Sequence, residues 1–320
     1  GSNNTMTLSS SDYVGTSGND DFASAESFSF IDRISHGNFV TTLGLRYEDV
    51  DYWETTDGEL DNTTTDNSET MLAASTVYNM GNGKSAFAGY SQGYMPTGVS
   101  SSLPEESDNY EIGYRSISAN SHMEIIAFLT DYENLTETCN ASAGCTVGSN
   151  DEVSTGEAHA QGIEFLYRIN NLFAAPQMKG AADTGSGIRY PMVLAVTLQE
   201  AEHDATTDTK FVDGNRIKYT PEKIVYASLG METNSWDMNL SAKYNDDVKD
   251  SGATGAVSTE SAVIFDFRSG MSLDGMGMPG ARAFFNVDNL FDKSYIASAH
   301  NYGVRPNKPS TVMAGLSFDF

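Results

Sequence analysis

The end of the chain limits its fold more than any other stretch. Val312-Met313-Ala314-Gly315-Leu316-Ser317-Phe318-Asp319-Phe320 alternates apolar residues with small or polar ones and finishes on an aromatic residue. A period of two places Val312, Ala314, Leu316, Phe318 and Phe320 on one face of a strand, and Met313, Gly315, Ser317 and Asp319 on the other. A strand of this kind suits the wall of a transmembrane β-barrel, which meets lipid outside and a wet lumen inside. A sandwich strand over a core has the same local pattern, so the rest of the chain has to separate the two.

Composition points to strands joined by polar loops. The chain has 320 residues, of which 29 are Gly, 16 Tyr and 16 Phe. Mean hydropathy is -0.36. No apolar run approaches the roughly 18 residues a membrane helix needs. The modest hydrophobicity is spread over alternating positions, which a barrel explains and a large apolar core does not. The net charge of -26 disfavours binding to nucleic acid through a basic patch. Cys139 and Cys145 sit in a polar Gly/Ser/Asn-rich stretch with no further metal ligands beside them. Their spacing is not that of a Cys-x-x-Cys redox pair, and a structural disulfide in an oxidising compartment is expected. Gly1-Ser2 reads as a cloning scar, and no signal peptide precedes it.

Alternation divides the chain into about 13 strand-like segments, near 24–34, 37–47, 69–79, 84–94, 106–118, 121–133, 156–168, 188–202, 221–232, 235–246, 260–272, 280–291 and 310–320, with a further strand within 5–14. In the clearest segment, Trp236, Met238, Leu240, Ala242 and Tyr244 oppose Asp237, Asn239, Ser241, Lys243 and Asn245. The connections sort by end. Short ones (Ser35-His36-Gly37, Met80-Gly81-Asn82-Gly83, Ser118-Ala119-Asn120, Thr233-Asn234-Ser235) alternate with long ones at 48–68, 134–155, 203–220, 247–259 and 292–309. Outer-membrane barrels sort their periplasmic turns and extracellular loops in this way. Segments 169–187 and 95–105 fit the rule less well, the first long for its side and the second modest for its side.

Few motifs carry chemistry. Gly89-Tyr90-Ser91-Gln92-Gly93 matches the Gly-x-Ser-x-Gly nucleophile elbow, which needs a helix after the Ser. Here Pro96 and a Ser-rich loop follow. His36, His122, His159, His203 and His300 are scattered and read as packing or surface positions. The acidic stretches 57–66 and 246–250 read as solvated loops, and no metal site or cofactor is expected.

Five elements, in order, resemble TonB-dependent outer-membrane receptors. They are Gly44-Leu45-Arg46-Tyr47-Glu48, the segment Tyr90–Pro96, Pro104-Glu105-Glu106-Ser107-Asp108-Asn109-Tyr110-Glu111-Ile112-Gly113-Tyr114-Arg115, Asn286-Val287-Asp288-Asn289-Leu290-Phe291-Asp292-Lys293-Ser294-Tyr295, and Gly303-Val304-Arg305-Pro306-Asn307-Lys308-Pro309-Ser310-Thr311-Val312. The last departs from the family's pattern, with Asn307 in place of Gly and Ser310 in place of Arg. The set is most similar to ferric dicitrate-type and related siderophore receptors. The second element absorbs the Ser91 match as barrel sequence.

The resemblance implies an all-β, antiparallel transmembrane barrel of about 22 strands around an amino-terminal plug. This chain would supply the carboxyl-terminal 13–14 strands or so. Residues 1–23 are then the scar with a partial strand or loop, and 24–320 the barrel portion, with the plug domain absent. Such a portion exposes two sheet edges, which lipid does not tolerate. The implied function is uptake of a scarce metal chelate, an iron–siderophore complex, at the bacterial outer membrane. The partners are that ferric chelate, outer-membrane lipid, and the TonB system acting through the plug, with no nucleic acid. Aromatic and basic residues near loop tips are the candidate ligand contacts: Tyr94, His300, Tyr302 and Arg305. Rim or aromatic-belt positions are the alternative role for each. The competing functions are a passive porin-like smaller barrel and a secreted serine hydrolase using Ser91.

Overall fold

The computed structural model describes residues 6–9, 19–56, 59–96, 103–138, 152–173, 187–206, 211–252, 256–300 and 303–318. The strands are β1 Met6–Ser9, β2 Asn19–His36, β3 Phe39–Thr56, β4 Glu59–Gly81, β5 Lys84–Met95, β6 Glu105–Ile117, β7 Ser121–Thr138, β8 Glu152–Ile169, β9 Met192–Thr206, β10 Lys223–Glu232, β11 Trp236–Asn245, β12 Ala262–Ser272, β13 Ala281–Asp288, β14 Ile296–His300, β15 Gly303–Pro306 and β16 Thr311–Phe318. Fourteen of them form one sheet in chain order, β1 through β13 and then β16, with β14 and β15 making a separate hairpin between β13 and β16. Every recorded pairing in the sheet is antiparallel. Among the described residues β1 and β16 are its two ends and do not pair with each other. No helix in the described residues is long and apolar enough to cross a membrane.

The register carries the alternation from strand to strand. Leu240 lies between Leu229 and Phe267, and Ala242 between Ala227 and Phe265. Phe285 lies between Ser269 and Ala314. The apolar residues therefore merge into a band on one face: Phe30, Leu45, Leu72, Ile112, Ile125, Ile163, Leu198, Leu229, Leu240, Leu316 and Phe318 are all exposed. That is the reverse of a water-soluble globule, where residues of this kind would be covered. β11 has ten residues, about 34 Å along the strand. Tilted by roughly 40°, it reaches about 25 Å, the height of an outer-membrane apolar band. Aromatic residues mark the band's edges, with Phe39 and Tyr78 packed at 4.7 Å at one end and Tyr90 and Tyr110 at 5.2 Å at the other.

The opposite face is polar and internally paired. Arg115 Nε donates to Glu124 Oε2 at 2.5 Å, and its guanidinium lies over the Phe87 ring. Arg282 pairs with Asp237, and Lys308 with Asp288. The Phe87 ring occupies the space above Gly113, where a Cβ would come within 2.3 Å of it. Gly113 is thus what lets an aromatic ring lie flat against the wall.

Several strands run further than the alternation indicated. β3 continues to Thr56 and β4 begins at Glu59, so most of the expected loop 48–68 is a paired hairpin. β7 and β8 extend into 134–155, and β9 into 203–220. These extensions lie beyond the apolar band. There the backbone ladder continues, but the regular period-two hydrophobicity lapses. The start of β9 moves the other way, to Met192 rather than 188. The connection 292–309 contains the hairpin β14–β15. Asp319 and Phe320, like Cys139 and Cys145, lie outside the described residues.

On the short-turn side, Ser272–Ala281 closes around Asp274. Its Oδ1 accepts the Gly280 amide and its Oδ2 the Ser272 hydroxyl, both at 2.8 Å. These bonds, the amide foremost, hold the carboxyl below its ordinary range. A lowered value means the turn is stabilised above the ordinary carboxylate pKa, and that this contribution is lost as pH falls. Asp274→Asn is therefore expected to flatten the acid limb of the unfolding midpoint between about pH 5 and 3. An unchanged limb in the variant would show that the bonds do not matter.

Candidate functional site

The outer end of the sheet is the end with the long connections. There the loops pack on each other. Tyr219 donates its amide to Lys249 O at 2.8 Å and its hydroxyl to Ala299 O at 2.9 Å, joining segment 211–222 to segment 246–261 and to β14. Asn215 Nδ2 donates to Gly252 O at 2.9 Å. Arg216 is held by Asp247 at 2.5 Å and by Glu222 at 3.5 Å. Asp246 accepts the Tyr244 hydroxyl, so the acidic stretch 246–250 is partly spoken for inside the protein. Beneath this cap lies a cavity of about 510 Å³ on the lumen face. Asn109, Glu111, Phe128, Tyr132, Glu164 and Gln199 line it, and Ile217 and Thr220 of the cap border it. Its lining has two carboxylates and no basic side chain.

Two of the four expected contact residues share one element. His300 and Arg305 lie on the hairpin, paired with Gly303 and Ser298 respectively. Arg305 is exposed, and its charge reaches the Tyr219 hydroxyl that braces the hairpin. Tyr94 is elsewhere, near the end of β5 opposite Glu106. Its hydroxyl is buried without a hydrogen-bond partner. Burial first, and then Glu69, Glu106 and Glu48, push the phenol up to about 12, so it stays protonated and can donate but cannot act as a phenolate. Tyr302 lies outside the described residues.

Ser91 is mid-strand in β5, paired with Ala73 and Asn109. The strand runs on to Met95, so there is no strand–turn–helix elbow and the hydrolase reading falls. No group of three or more His, Cys, Asp or Glu among the described residues could hold a metal ion.

Sequence reasoning missed the residues at the centre of the cap: Glu137, Thr155, His203, Tyr219 and Gly252. No local pattern marks them, because they come from five separate stretches. A lone His at 203 carries no signal until the fold sets it beside Glu137.

The family described as TonB dependent receptor-like, beta-barrel matches residues 1–290. The chain belongs to this family. TonB-dependent receptors are transporters and receptors of the bacterial outer membrane, not enzymes, and the exposed apolar band is where this one meets lipid. The ferrichrome outer membrane transporter/phage receptor of Escherichia coli strain K12 is 25% identical over 309 residues, which is 90% of this chain and 37% of that protein. The chain therefore spans little more than a third of that relative's length. Two solved receptors share the fold. The ferric citrate transporter FecA in its unliganded form aligns with a TM-score of 0.76 at 17% identity, covering 93% of this chain and 45% of that one. The siderophore receptor PiuA from Acinetobacter baumannii aligns with a TM-score of 0.73 at 16% identity, covering 93% and 44%.

Proposed function

We propose that this chain forms barrel wall and outer loops in a TonB-dependent receptor that takes up a scarce metal chelate, an iron–siderophore complex. Residues 24–320 contribute the barrel part. A plug outside this chain closes the lumen and answers to TonB. The observation that carries the reading is the two-faced wall with its packed cap over a lumen-side cavity, in a chain whose family transports such chelates. The ligand approaches under the β14–β15 hairpin, with Arg305 and His300 at the rim and Tyr94 donating from β5. Arg305 suits carboxylate or catecholate oxygens. The two carboxylates of the cavity suit a chelate of low overall negative charge.

The test is uptake of radioactive iron by iron-starved cells that carry the full-length receptor as their only such transporter. A panel of ferric hydroxamate, catecholate and citrate chelates is supplied, with and without a functional TonB. Uptake of at least one chelate, abolished without TonB, is expected. Arg305→Ala is expected to raise the half-saturating concentration by about tenfold, the weight of one charge-assisted hydrogen bond. Uptake that survives loss of TonB would mean a passive pore instead.

A further inference from the structure

The β14–β15 hairpin carries His300 and Arg305, yet among the described residues it pairs with no strand of the main sheet. It has five residues on one side and four on the other, with a register shift between Ile296 and Ser298. A two-stranded hairpin this short is marginal in water by itself. Its direction is therefore decided by what anchors it.

The two arms leave and rejoin the wall at one place, and there two asparagines converge on the same carbonyls. Asn289 Nδ2 donates to Lys293 O at 2.9 Å and to Lys308 O at 3.0 Å. Asn307 Nδ2 donates to the same two oxygens, at 2.7 and 3.1 Å. Each carbonyl oxygen has two lone pairs, and each amide nitrogen two hydrogens, so all four bonds are compatible. The acceptor ends are used as well. Asn289 Oδ1 accepts the Lys293 amide, and Asn307 Oδ1 the Tyr295 amide, each at 2.9 Å.

The two side chains do different things. Asn289 belongs to the wall. It is buried, its own amide donates to Asp266 Oδ1 on β12 at 2.8 Å, and the Leu290 amide donates to Phe265 O at 2.7 Å. Asn307 belongs to the hairpin. It follows Pro306, the last residue of β15, and stands two residues from Arg305. Its side chain reaches Lys293 and Tyr295 on the outgoing arm, so it clamps the returning arm to the outgoing one where both meet the wall. The family's pattern has Gly at this position. Gly would keep only the backbone bond, from the residue 307 amide to Tyr295 O at 3.0 Å.

We propose that Asn307 is a positioning residue for ligand binding, fixing the hairpin so that Arg305 is held at the mouth before ligand arrives. The inference rests on the reading of Arg305 as a ligand contact. Tyr219 holds the outgoing strand through Ala299 O, and the Asn307 clamp sets the returning strand, which carries Arg305, against it. A preordered hairpin strengthens binding by removing the ordering cost from the binding step. With the clamp gone, only part of the population presents Arg305, and apparent affinity falls by that fraction while later steps are untouched.

Two measurements on Asn307→Ala test this. Ala removes the side chain without adding the backbone freedom of Gly. The first is hydrogen exchange of the full-length receptor in outer-membrane vesicles, with no chelate present. Protection of the amides in 295–300 and 303–305 is expected to fall by about tenfold, the weight of one or two lost hydrogen bonds, while 236–245 stays unchanged. Unchanged protection of the hairpin would overturn the proposal. The second is iron uptake by cells carrying the receptor. The half-saturating concentration is expected to rise by about fivefold at an unchanged maximal rate, and Asn307→Ala should add nothing further in an Arg305→Ala background. The same rise on top of Arg305→Ala, or a loss confined to the maximal rate, would overturn the positioning role. Uptake of every chelate unaffected by Arg305→Ala alone would overturn the assignment of Arg305 and the positioning role with it. That failure is distinct from failure of the clamp, which the ligand-free exchange measures by itself.

Discussion

Leu240→Arg is expected to destabilise the barrel by about 2–4 kcal/mol, the cost of a basic side chain near the middle of the apolar band. Leu240 is 45% exposed, yet it is flanked by Leu229 and Phe267 rather than by any polar group. In a water-soluble protein such an exposed position would accept arginine readily. In lipid the guanidinium has neither water nor a counter-charge within the strand register. The neighbouring change Ser241→Arg tests the other face. Ser241 pairs with Ser228 and Asp266, so the new charge meets a carboxylate and a wet lumen, and a change below about 1 kcal/mol is expected. Urea unfolding of the full-length receptor in lipid vesicles, followed by the gel-mobility shift of folded barrels, reads both. Leu240→Arg should shift the folding equilibrium by roughly 30- to 900-fold, and Ser241→Arg by less than about fivefold. Equal effects would mean that the exposed band does not face lipid.

Gly252→Ala is the second large effect, and it should be local. A Cβ at 252 would lie 2.2 Å from His203 Nε2, 2.7 Å from its Cδ2 and 3.2 Å from Glu137 Oε1. His203 has no exposed surface into which to retreat, so the methyl group fits only if the ring leaves Glu137. Overpacking of this kind costs about 1–3 kcal/mol. It should appear as faster proteolysis within 211–252, while the strands keep their folded gel mobility. Gly275→Ala is the control, because a Cβ there meets nothing within 4 Å. Matching digestion patterns for the two variants would show that the cap is not packed around this glycine.

How much could be read in advance depended on whether the bilayer was involved. Lipid imposes one rule on every crossing strand, apolar out and polar in, and Trp236–Tyr244 or Val312–Phe318 displays it locally. The strand order followed as well, because short and long connections alternate when neighbours in sequence pair in space. Beyond the bilayer that rule lapses. The hairpin of β3 and β4 past Asp49 sets Val50, Tyr52 and Trp53 among acidic residues and threonines without the regular alternation, so it reads as loop. The same holds for the ends of β7, β8 and β9.

The sequence by itself determined the barrel wall, its facing and its family, because a two-solvent environment writes the same period-two pattern into each strand. Only the tertiary structure decided what sits over the mouth. His203, Glu137, Thr155, Tyr219 and Gly252 come from distant stretches with no shared period. Their meaning, a buried contact between His203 and Glu137 closed over by a glycine and tied to the loops through Tyr219, exists only once the loops are folded together.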